Sequence, residues 1–229
     1  MKIVVATIKV WNIKNANIFK HNYGDKHEIF ICTSKDDLIV ENMQEFKPDY
    51  IFFPHWSYLI PDEIVQNFKC VIFHMTDLPY GRGGSPLQNL IARGHKTTKI
   101  SAIKATSQLD AGPIYMKKEL SLEGTAQEIF ERCSEIVFEE MIPEFLQREI
   151  EPVEQLGEPT IFKRRKQEDG MITGDMELSQ IYDYIRMLDA EGYPLAYMDM
   201  GEYRLSFSSA RLSVDRQEIE AKVVFRKNS

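Results

Sequence analysis

The chain has 229 residues, of which 43% are hydrophobic, 11% aromatic and 28% charged. This composition excludes a disordered chain and predicts a globular protein with one main core and room for a small appendage. Its 28 lysines and arginines face 35 aspartates and glutamates, which gives a formal net charge of −7. Because the basic excess of a general nucleic-acid-binding protein is missing, we expect no nucleic-acid partner, although a local basic patch is compatible with this total.

The three cysteines indicate neither a metal site nor a disulfide framework. Cys32, Cys70 and Cys133 lie in apolar or helical stretches and show no CxxC or His-x-x-His spacing. The amino terminus is typical of a buried strand and not of a secretory signal, and no window approaches the roughly 20 apolar residues of a membrane span. We therefore expect reduced thiols, no metal, no membrane partner and a cytoplasmic location.

The amino-terminal half alternates short apolar runs with helical segments. A run that is apolar throughout is typical of a strand buried on both faces, and a proline followed by two acids predicts the start of a helix. This order predicts an α/β fold, a Rossmann-like and mostly parallel sheet flanked by helices, with ligands bound beyond the carboxyl ends of the strands. The predicted strands are residues 2–10, 28–33, 49–54 and 70–73, and the predicted helix is 61–68.

The second half begins with a helix and two strands and continues with the strongest helical periodicity of the chain, at 125–148. The apolar stripe of that helix fits the core and fits a homodimer seam equally well. Residues 149–158 are predicted to be a linker, and the basic run 163–166 is interpreted either as solvated linker or as a phosphate-binding segment. We expect a catalytic domain at 1–160 and a small α+β subdomain at 161–229. The remaining predicted elements are helices at 85–93 and 178–190 and strands at 99–104, 114–119, 203–207 and 219–225.

Two segments carry residues suited to chemistry. His74 ends the fourth strand and is followed by a loop rich in proline and glycine, which predicts an exposed titratable group on a rigid platform. Asp110 lies in the sequence Asp-Ala-Gly-Pro, which is typical of a tight turn. A histidine with a nearby carboxylate can shuttle a proton near neutral pH, so the two segments together predict an acid/base unit.

The order of the motifs resembles the 10-formyltetrahydrofolate-dependent formyltransferases, a family that includes enzymes acting on methionyl-tRNA, glycinamide ribonucleotide and nucleotide-linked sugars. The motifs are His-x-Thr-x-Leu-Pro at 74–79, Arg-Gly-x-x-Pro at 82–86 and Asp-x-Gly-x-Ile at 110–114. The similarity extends from about residue 48 to residue 172. It implies transfer of a formyl group from N10 of the folate, the co-substrate 10-formyltetrahydrofolate, to an amine.

The resemblance also implies roles for individual residues. His74 is the general acid/base, and Asp110 favours the protonated form of its imidazole. An apolar crevice edged by backbone donors and acceptors suits a pterin ring. The implied folate-binding residues are Tyr58, Leu59, Ile60, Thr76, Asp77, Leu78, Pro79, Thr106, Ser107, Gln108 and Leu109. The implied acceptor-binding residues are Lys9, Trp11, Asn12 and Arg82.

One position departs from the family pattern. The family has Asn-x-His, in which the asparagine amide donates a hydrogen bond to the oxyanion, and this chain has Ile72 there. Loss of such a donor typically costs roughly a hundredfold or more in rate. His55, Ser57 and Thr76 are the candidates to replace it.

The short tail favours one branch of the family. Residues 166–229 hold 8 basic and 12 acidic residues, a net −4, and such a tail is poorly suited to binding tRNA. We therefore predict an N-formyltransferase acting on a nucleotide-linked amino sugar of the 4-amino-4,6-dideoxyhexose class, for surface polysaccharide or nonulosonic-acid biosynthesis. The alternatives are a methionyl-tRNA-type formyltransferase, an enzyme formylating a small amine, a formyl-folate hydrolase and an inactive folate- or nucleotide-sugar-binding protein.

Overall fold

The computed structural model describes residues 1–227, and the last two positions of the predicted subdomain 161–229 lie outside the described residues. The chain divides into two compact units. The first comprises Met1–Gly83, Thr98–Leu120 and Phe130–Ile161, and the second comprises Gly84–Thr97, Ser121–Ile129 and Phe162–Ser229. The carboxyl-terminal border of the first unit lies next to the predicted boundary at residue 160. A division of the chain into domains at that residue stays a prediction.

Eleven strands and seven α-helices are formed by the described residues. The strands are β1 (Lys2–Ala6), β2 (Glu28–Cys32), β3 (Tyr50–Pro54), β4 (Cys70–His74), β5 (Arg82–Gly83), β6 (Thr97–Lys104), β7 (Ile114–Ser121), β8 (Ile161–Phe162), β9 (Ala196–Met200), β10 (Tyr203–Leu212) and β11 (Ile219–Lys227). The helices are α1 (Val10–Tyr23), α2 (Val40–Phe46), α3 (Asp62–Asn67), α4 (Pro86–Ala92), α5 (Ala126–Ile136), α6 (Ile142–Gln147) and α7 (Leu178–Leu188).

A six-stranded sheet with the order β2-β1-β3-β4-β6-β7 forms the centre of the fold. β1, β2, β3 and β4 are parallel, and β6 is antiparallel to β4. Pro54 pairs with Phe73, so His55 and His74 follow at the same edge of the sheet, at the carboxyl ends of neighbouring strands. The predicted α/β class, with a mostly parallel sheet flanked by helices, is confirmed.

The first strand is shorter than predicted. It ends at Ala6, and Val10, predicted as its last residue, begins α1. The backbone leaves the sheet at Thr7, whose hydroxyl donates to the Pro54 carbonyl over 2.7 Å. Neither α1 nor α2 was predicted. The buried residues of α1 include the polar Asn12 and the small Ala16, so the helix presents no apolar stripe to reveal it.

The long helix predicted at 125–148 is interrupted. α5 passes through a π-helical turn at Val137–Met141 into α6. Pro143, in the first turn of α6, has no N–H to donate to the preceding turn, and an interruption of the α-helical hydrogen bonding accommodates that missing donor.

The second unit is a small α+β assembly. Its sheet has the order β11-β10-β9, both pairs antiparallel, and α7 packs against α4 and β10. The buried Arg186 donates to the Leu122 and Gly124 carbonyls over 2.6 and 3.0 Å and pairs with Asp183. β9 was not predicted, whereas the helix and the other two strands were.

Among residues 1–227, no helix is long and apolar enough to cross a membrane. The same residues contain no cluster of three histidine, cysteine or acidic side chains arranged to hold a metal ion. Cys32, Cys70 and Cys133 are free and buried. Burial raises the pKa of each of the three thiols to about 12, assisted at Cys32 by the negative charge of Asp37, so none is a reactive thiolate at neutral pH.

Candidate active site

His74 is the last residue of β4, and its imidazole is enclosed on both sides. Nε2 lies 2.8 Å from the Gly81 carbonyl, and Nδ1 lies 3.6 Å from Oδ2 of Asp110. A carbonyl only accepts, so Nε2 carries a proton and donates it. The prediction that His74 is exposed is wrong, since the residue is only 7% exposed. The loop that was expected to leave the ring open folds back and places Gly81 against it.

Asp110 reaches His74 from the opposite end of the sheet. β6 runs antiparallel to β4, and the Ala105 amide, just beyond β6, donates to the Cys70 carbonyl at the start of β4. The chain then returns along β4 to Asp110, whose backbone is left-handed, with φ of 52°. Its Oδ2 accepts the Gly83 amide over 2.9 Å, and the carboxylate is buried. The structure thus brings His74 and Asp110 together in the arrangement of an acid/base unit.

A second pair of side chains supports this turn. Arg82 donates from Nε and from its terminal nitrogen to Oε1 of Gln155, over 3.0 and 2.8 Å. Nε2 of Gln155 donates to the carbonyls of Asp110 and Gly112, over 2.9 and 2.8 Å. Arg82, predicted to bind the acceptor, is therefore engaged within the protein. Gln155 was missed because it lies in the predicted linker 149–158, where no sequence pattern distinguishes it.

The predicted folate-binding residues fall into an exposed and a buried group. Leu59 and Leu109 are 93% and 70% exposed. Tyr58, which packs edge-on against Trp56, is also exposed, and Ile60 is half-buried. Thr106, Ser107 and Gln108 are exposed polar residues beside Leu109.

The loop at 76–79 is held by internal contacts. The Ser101 hydroxyl donates to the Thr76 carbonyl over 2.7 Å, and the Thr76 and Leu78 side chains are fully buried. Pro79 is half-buried. Asp77 pairs with Lys117 and, over 3.1 Å, with Lys99. Partial burial raises the pKa of Asp77, but the hydrogen bonds and charges of the two lysines outweigh that effect and lower it. The Asp77 carboxylate is committed to these lysines and is not a free ligand-binding group.

The predicted acceptor-binding residues after β1 are largely internal. Trp11 is buried and stacks on Phe130, with ring centroids 5.5 Å apart. Asn12 is buried and its amide donates to the Pro54 carbonyl over 3.4 Å. Lys9 is half-buried, with its ammonium 5.7 Å from the Trp11 ring. Trp11 therefore joins α1 to α5 and Asn12 joins it to β3, and binding of an acceptor by these residues stays a prediction.

The three candidates to replace the family asparagine differ in their surroundings. Ile72 packs against the hydrophobic core and donates nothing. The Thr76 hydroxyl donates to the Gly81 carbonyl over 3.4 Å, and Ser57 is exposed. His55 follows β3 with a left-handed backbone, φ of 53°, and its ring lies edge-on to Phe130 at 4.8 Å. Burial, assisted by the charge of Lys9, lowers the pKa of His55 to about 3, so a neutral imidazole stands beside β4 at neutral pH.

Gly112 sets the path of the Asp110 turn and offers a first test. A Cβ at this position would lie 1.8 Å from the Lys104 carbonyl oxygen, so Gly112→Ala must push the turn away from β6. We expect a loss of roughly 1–3 kcal/mol in the free energy of unfolding, measured by chemical denaturation. Gly174→Ala is the matched control, because a Cβ there meets nothing within 4 Å. Equal stability of the two variants would contradict the tight packing of the turn.

Comparisons with known proteins agree with the site. Residues 15–142 match the family model "Formyl transferase", and residues 167–226 match "Methionyl-tRNA formyltransferase, C-terminal domain". A methionyl-tRNA formyltransferase of Campylobacter lari is 34% identical over 159 residues, which cover 68% of this chain and 52% of that protein. The chain spans about half the length of the curated relatives it matches.

Two solved structures resemble this chain to different degrees. A methionyl-tRNA formyltransferase from Clostridium thermocellum is 54% identical, with a TM-score of 0.97 and full coverage of both chains. A 4-N formyltransferase from Francisella tularensis is 17% identical, with a TM-score of 0.70, and covers 91% of this chain and 96% of that one. The second likeness shows the fold alone.

The predicted nucleotide-linked amino sugar acceptor is wrong. That prediction rested on the short tail, yet the Clostridium thermocellum protein matches the whole chain, tail included. Tail length therefore does not separate the tRNA branch from the sugar branch. The expectation that the protein has no nucleic-acid partner rested on the overall negative charge, and the similarity to methionyl-tRNA formyltransferases does not support it. What the comparisons confirm is the family predicted from the motifs, the 10-formyltetrahydrofolate-dependent formyltransferases, and the chain belongs to the formyl transferase family.

Proposed function

We propose that this chain transfers the formyl group of 10-formyltetrahydrofolate to the amine of methionyl-tRNA. The observation that carries the proposal is the buried pair of His74 and Asp110 at the carboxyl end of β4. It occurs in a chain that matches a methionyl-tRNA formyltransferase over its full length. The exposed basic residues Lys163, Arg164 and Lys166 provide the local positive charge that phosphate groups require, despite the overall negative charge.

When bound, the folate supplies a formyl group attached to N10. The acceptor amine loses one proton as its bond to the formyl carbon forms, and N10 gains one proton as its bond to that carbon breaks. His74 is the group placed to take the first proton and return the second. Between these two transfers His74 is a positively charged imidazolium. The Asp110 carboxylate stabilises that charge, because it lies 3.6 Å from Nδ1 of the ring.

The Gly81 carbonyl holds the position that a reacting group must take. In the structure it accepts the proton of His74 Nε2 over 2.8 Å. For Nε2 to take a proton from the amine, the neutral ring must hold its single proton on Nδ1, toward Asp110, and the amine must replace the Gly81 carbonyl at Nε2. The backbone at Gly81 is therefore the point that must shift when the amine binds.

The proposal that the protein binds folate is supported by exposed apolar side chains near the candidate active site. Leu59, Leu109 and Tyr58 provide apolar side chains at the edge where β3 and β4 end. A flat heterocycle buries such side chains and takes its hydrogen bonds from the backbone of the neighbouring loops.

We also propose a cytoplasmic location, which suits the three free cysteines. The homodimer stays a prediction.

The proposal is tested by release of tetrahydrofolate from 10-formyltetrahydrofolate in the presence of charged methionyl-tRNA. We expect release to depend on the charged tRNA, and the formylated product to be seen in an acid gel. Uncharged tRNA and free methionine are the matched controls, because each supplies only one part of the acceptor. Release without any acceptor would point to a formyl-folate hydrolase, and folate binding without release would point to an inactive binding protein.

A further inference from the structure

The interaction around Gln155 uses the whole amide group. Its oxygen accepts two hydrogen bonds from Arg82, and its nitrogen donates one each to the carbonyls of Asp110 and Gly112, with all four distances between 2.8 and 3.0 Å. Arg82 can only donate and the two carbonyls can only accept. The amide therefore has one chemically satisfied orientation, with its oxygen toward the guanidinium and its nitrogen toward the turn.

The turn that Gln155 holds is strained and needs such support. Asp110 adopts a left-handed backbone, with φ of 52°, a conformation that aspartate tolerates better than most non-glycine residues but that is still sparsely populated. Gly112 approaches the Lys104 carbonyl so closely that no side chain fits there. A strained turn persists only where its surroundings fix it. The Gln155 side chain provides such support, because it donates to the backbone carbonyls of both Asp110 and Gly112.

The same turn sets the distance between Asp110 and His74. The Asp110 carboxylate has one backbone donor, the Gly83 amide at 2.9 Å, and Gly83 follows Arg82 directly. Two neighbouring residues therefore hold the turn: the Arg82 side chain donates to Gln155, and the Gly83 amide donates to the Asp110 carboxylate. Displacement of the turn would move the carboxylate relative to the imidazole, whose own position is fixed by β4.

We propose that Gln155 is a positioning residue, which holds the Asp110 carboxylate against His74 and is itself oriented by Arg82. The role rests on the proposed formyl transfer, because it concerns the acid/base pair of that reaction. Gln155 touches neither His74 nor the reacting atoms, and it acts through the backbone of the Asp110 turn.

The test compares Gln155→Met with Asp110→Asn and with the double variant. Methionine keeps the length of the side chain and removes all four hydrogen bonds. We expect kcat to fall roughly ten- to a hundredfold, as a displaced catalytic group does, while KM for 10-formyltetrahydrofolate stays within about twofold. Gln66→Met, an exposed glutamine to methionine change on α3, is the matched control and should keep the wild-type rate.

The double variant distinguishes positioning from a general structural role. If Gln155 acts through Asp110, adding Gln155→Met to Asp110→Asn lowers kcat no further than Asp110→Asn alone. Losses that multiply would overturn the proposal. Should Gln155→Met fail to fold, Gln155→Glu serves instead, because it keeps an acceptor for Arg82 and loses both donors to the turn; an unchanged kcat in that variant would also overturn the proposal.

A readout without turnover separates this inference from the proposed function. If the wild-type protein transfers no formyl group, the proposed function fails, but the ring-proton resonances of His74 still report its surroundings. We expect Gln155→Met to move these resonances toward their positions in Asp110→Asn, at one fixed pH. Resonances that stay at their wild-type positions in Gln155→Met while moving in Asp110→Asn would overturn the positioning role.

Discussion

Replacement of His74 by glutamine is expected to lower the rate of formyl transfer roughly 10²- to 10⁴-fold, the usual contribution of a positioned acid/base. Glutamine was chosen because its amide can still donate to the Gly81 carbonyl, which His74 Nε2 reaches over 2.8 Å. The variant therefore removes the exchangeable ring proton with little disturbance of the loop. The rate is measured by tetrahydrofolate release with methionyl-tRNA as the acceptor.

His74→Ala is the companion variant for stability. It leaves the buried Gly81 carbonyl with only the longer hydrogen bond from the Thr76 hydroxyl, over 3.4 Å, and the loss of one hydrogen bond costs about 0.5–1.5 kcal/mol. We expect His74→Ala to unfold at lower denaturant concentration than His74→Gln while both are equally inactive. Retention of more than a tenth of the wild-type rate by His74→Gln would remove His74 from the mechanism.

The sheet could be predicted from sequence because its parallel strands are buried on both faces. β1, β3 and β4 have almost no exposed residues, so each is a continuous apolar run that needs no alignment to be recognised. α1 could not be predicted because its buried face consists of Trp11, Asn12, Ala16 and Phe19. A polar and a small residue among four buried positions erase the periodic apolar signal.

The site residues also differ in whether nearby or distant parts of the sequence determine their positions. His74 could be located because a strand end is a local feature, but its burial depended on where the following loop returned. The approach of Asp110 depended on β6 being antiparallel and on a backward path over β4, neither of which a turn motif encodes. Gln155 lies 45 residues from Asp110 in the chain, and only the folded structure joins them.

The wrong acceptor has a physical cause as well. Net charge is a sum over the whole chain, whereas phosphate binding depends on charge at one place. Here the total is −7, yet four consecutive basic residues occupy 163–166, and three of them are exposed. The sum therefore carried little information about whether one surface of the protein can bind RNA.

Replacement of Asp110 by asparagine isolates the charge of the pair from its geometry. Asparagine can still accept the Gly83 amide that Oδ2 accepts over 2.9 Å, so the turn keeps that contact. We expect the rate to fall by roughly a hundredfold, since the imidazolium formed during proton transfer loses its buried counter-charge. Asp49→Asn is the matched control, an exposed aspartate that accepts a backbone amide, that of Lys2.

The geometry of the pair says how the result is to be interpreted. The carboxylate lies 3.6 Å from Nδ1 of His74, and asparagine removes its charge while it can keep the Gly83 contact. A rate loss at wild-type stability would therefore come from the missing charge and not from a displaced turn. Retention of the wild-type rate by Asp110→Asn would mean that the two side chains are neighbours in the fold but do not act as a pair in the reaction.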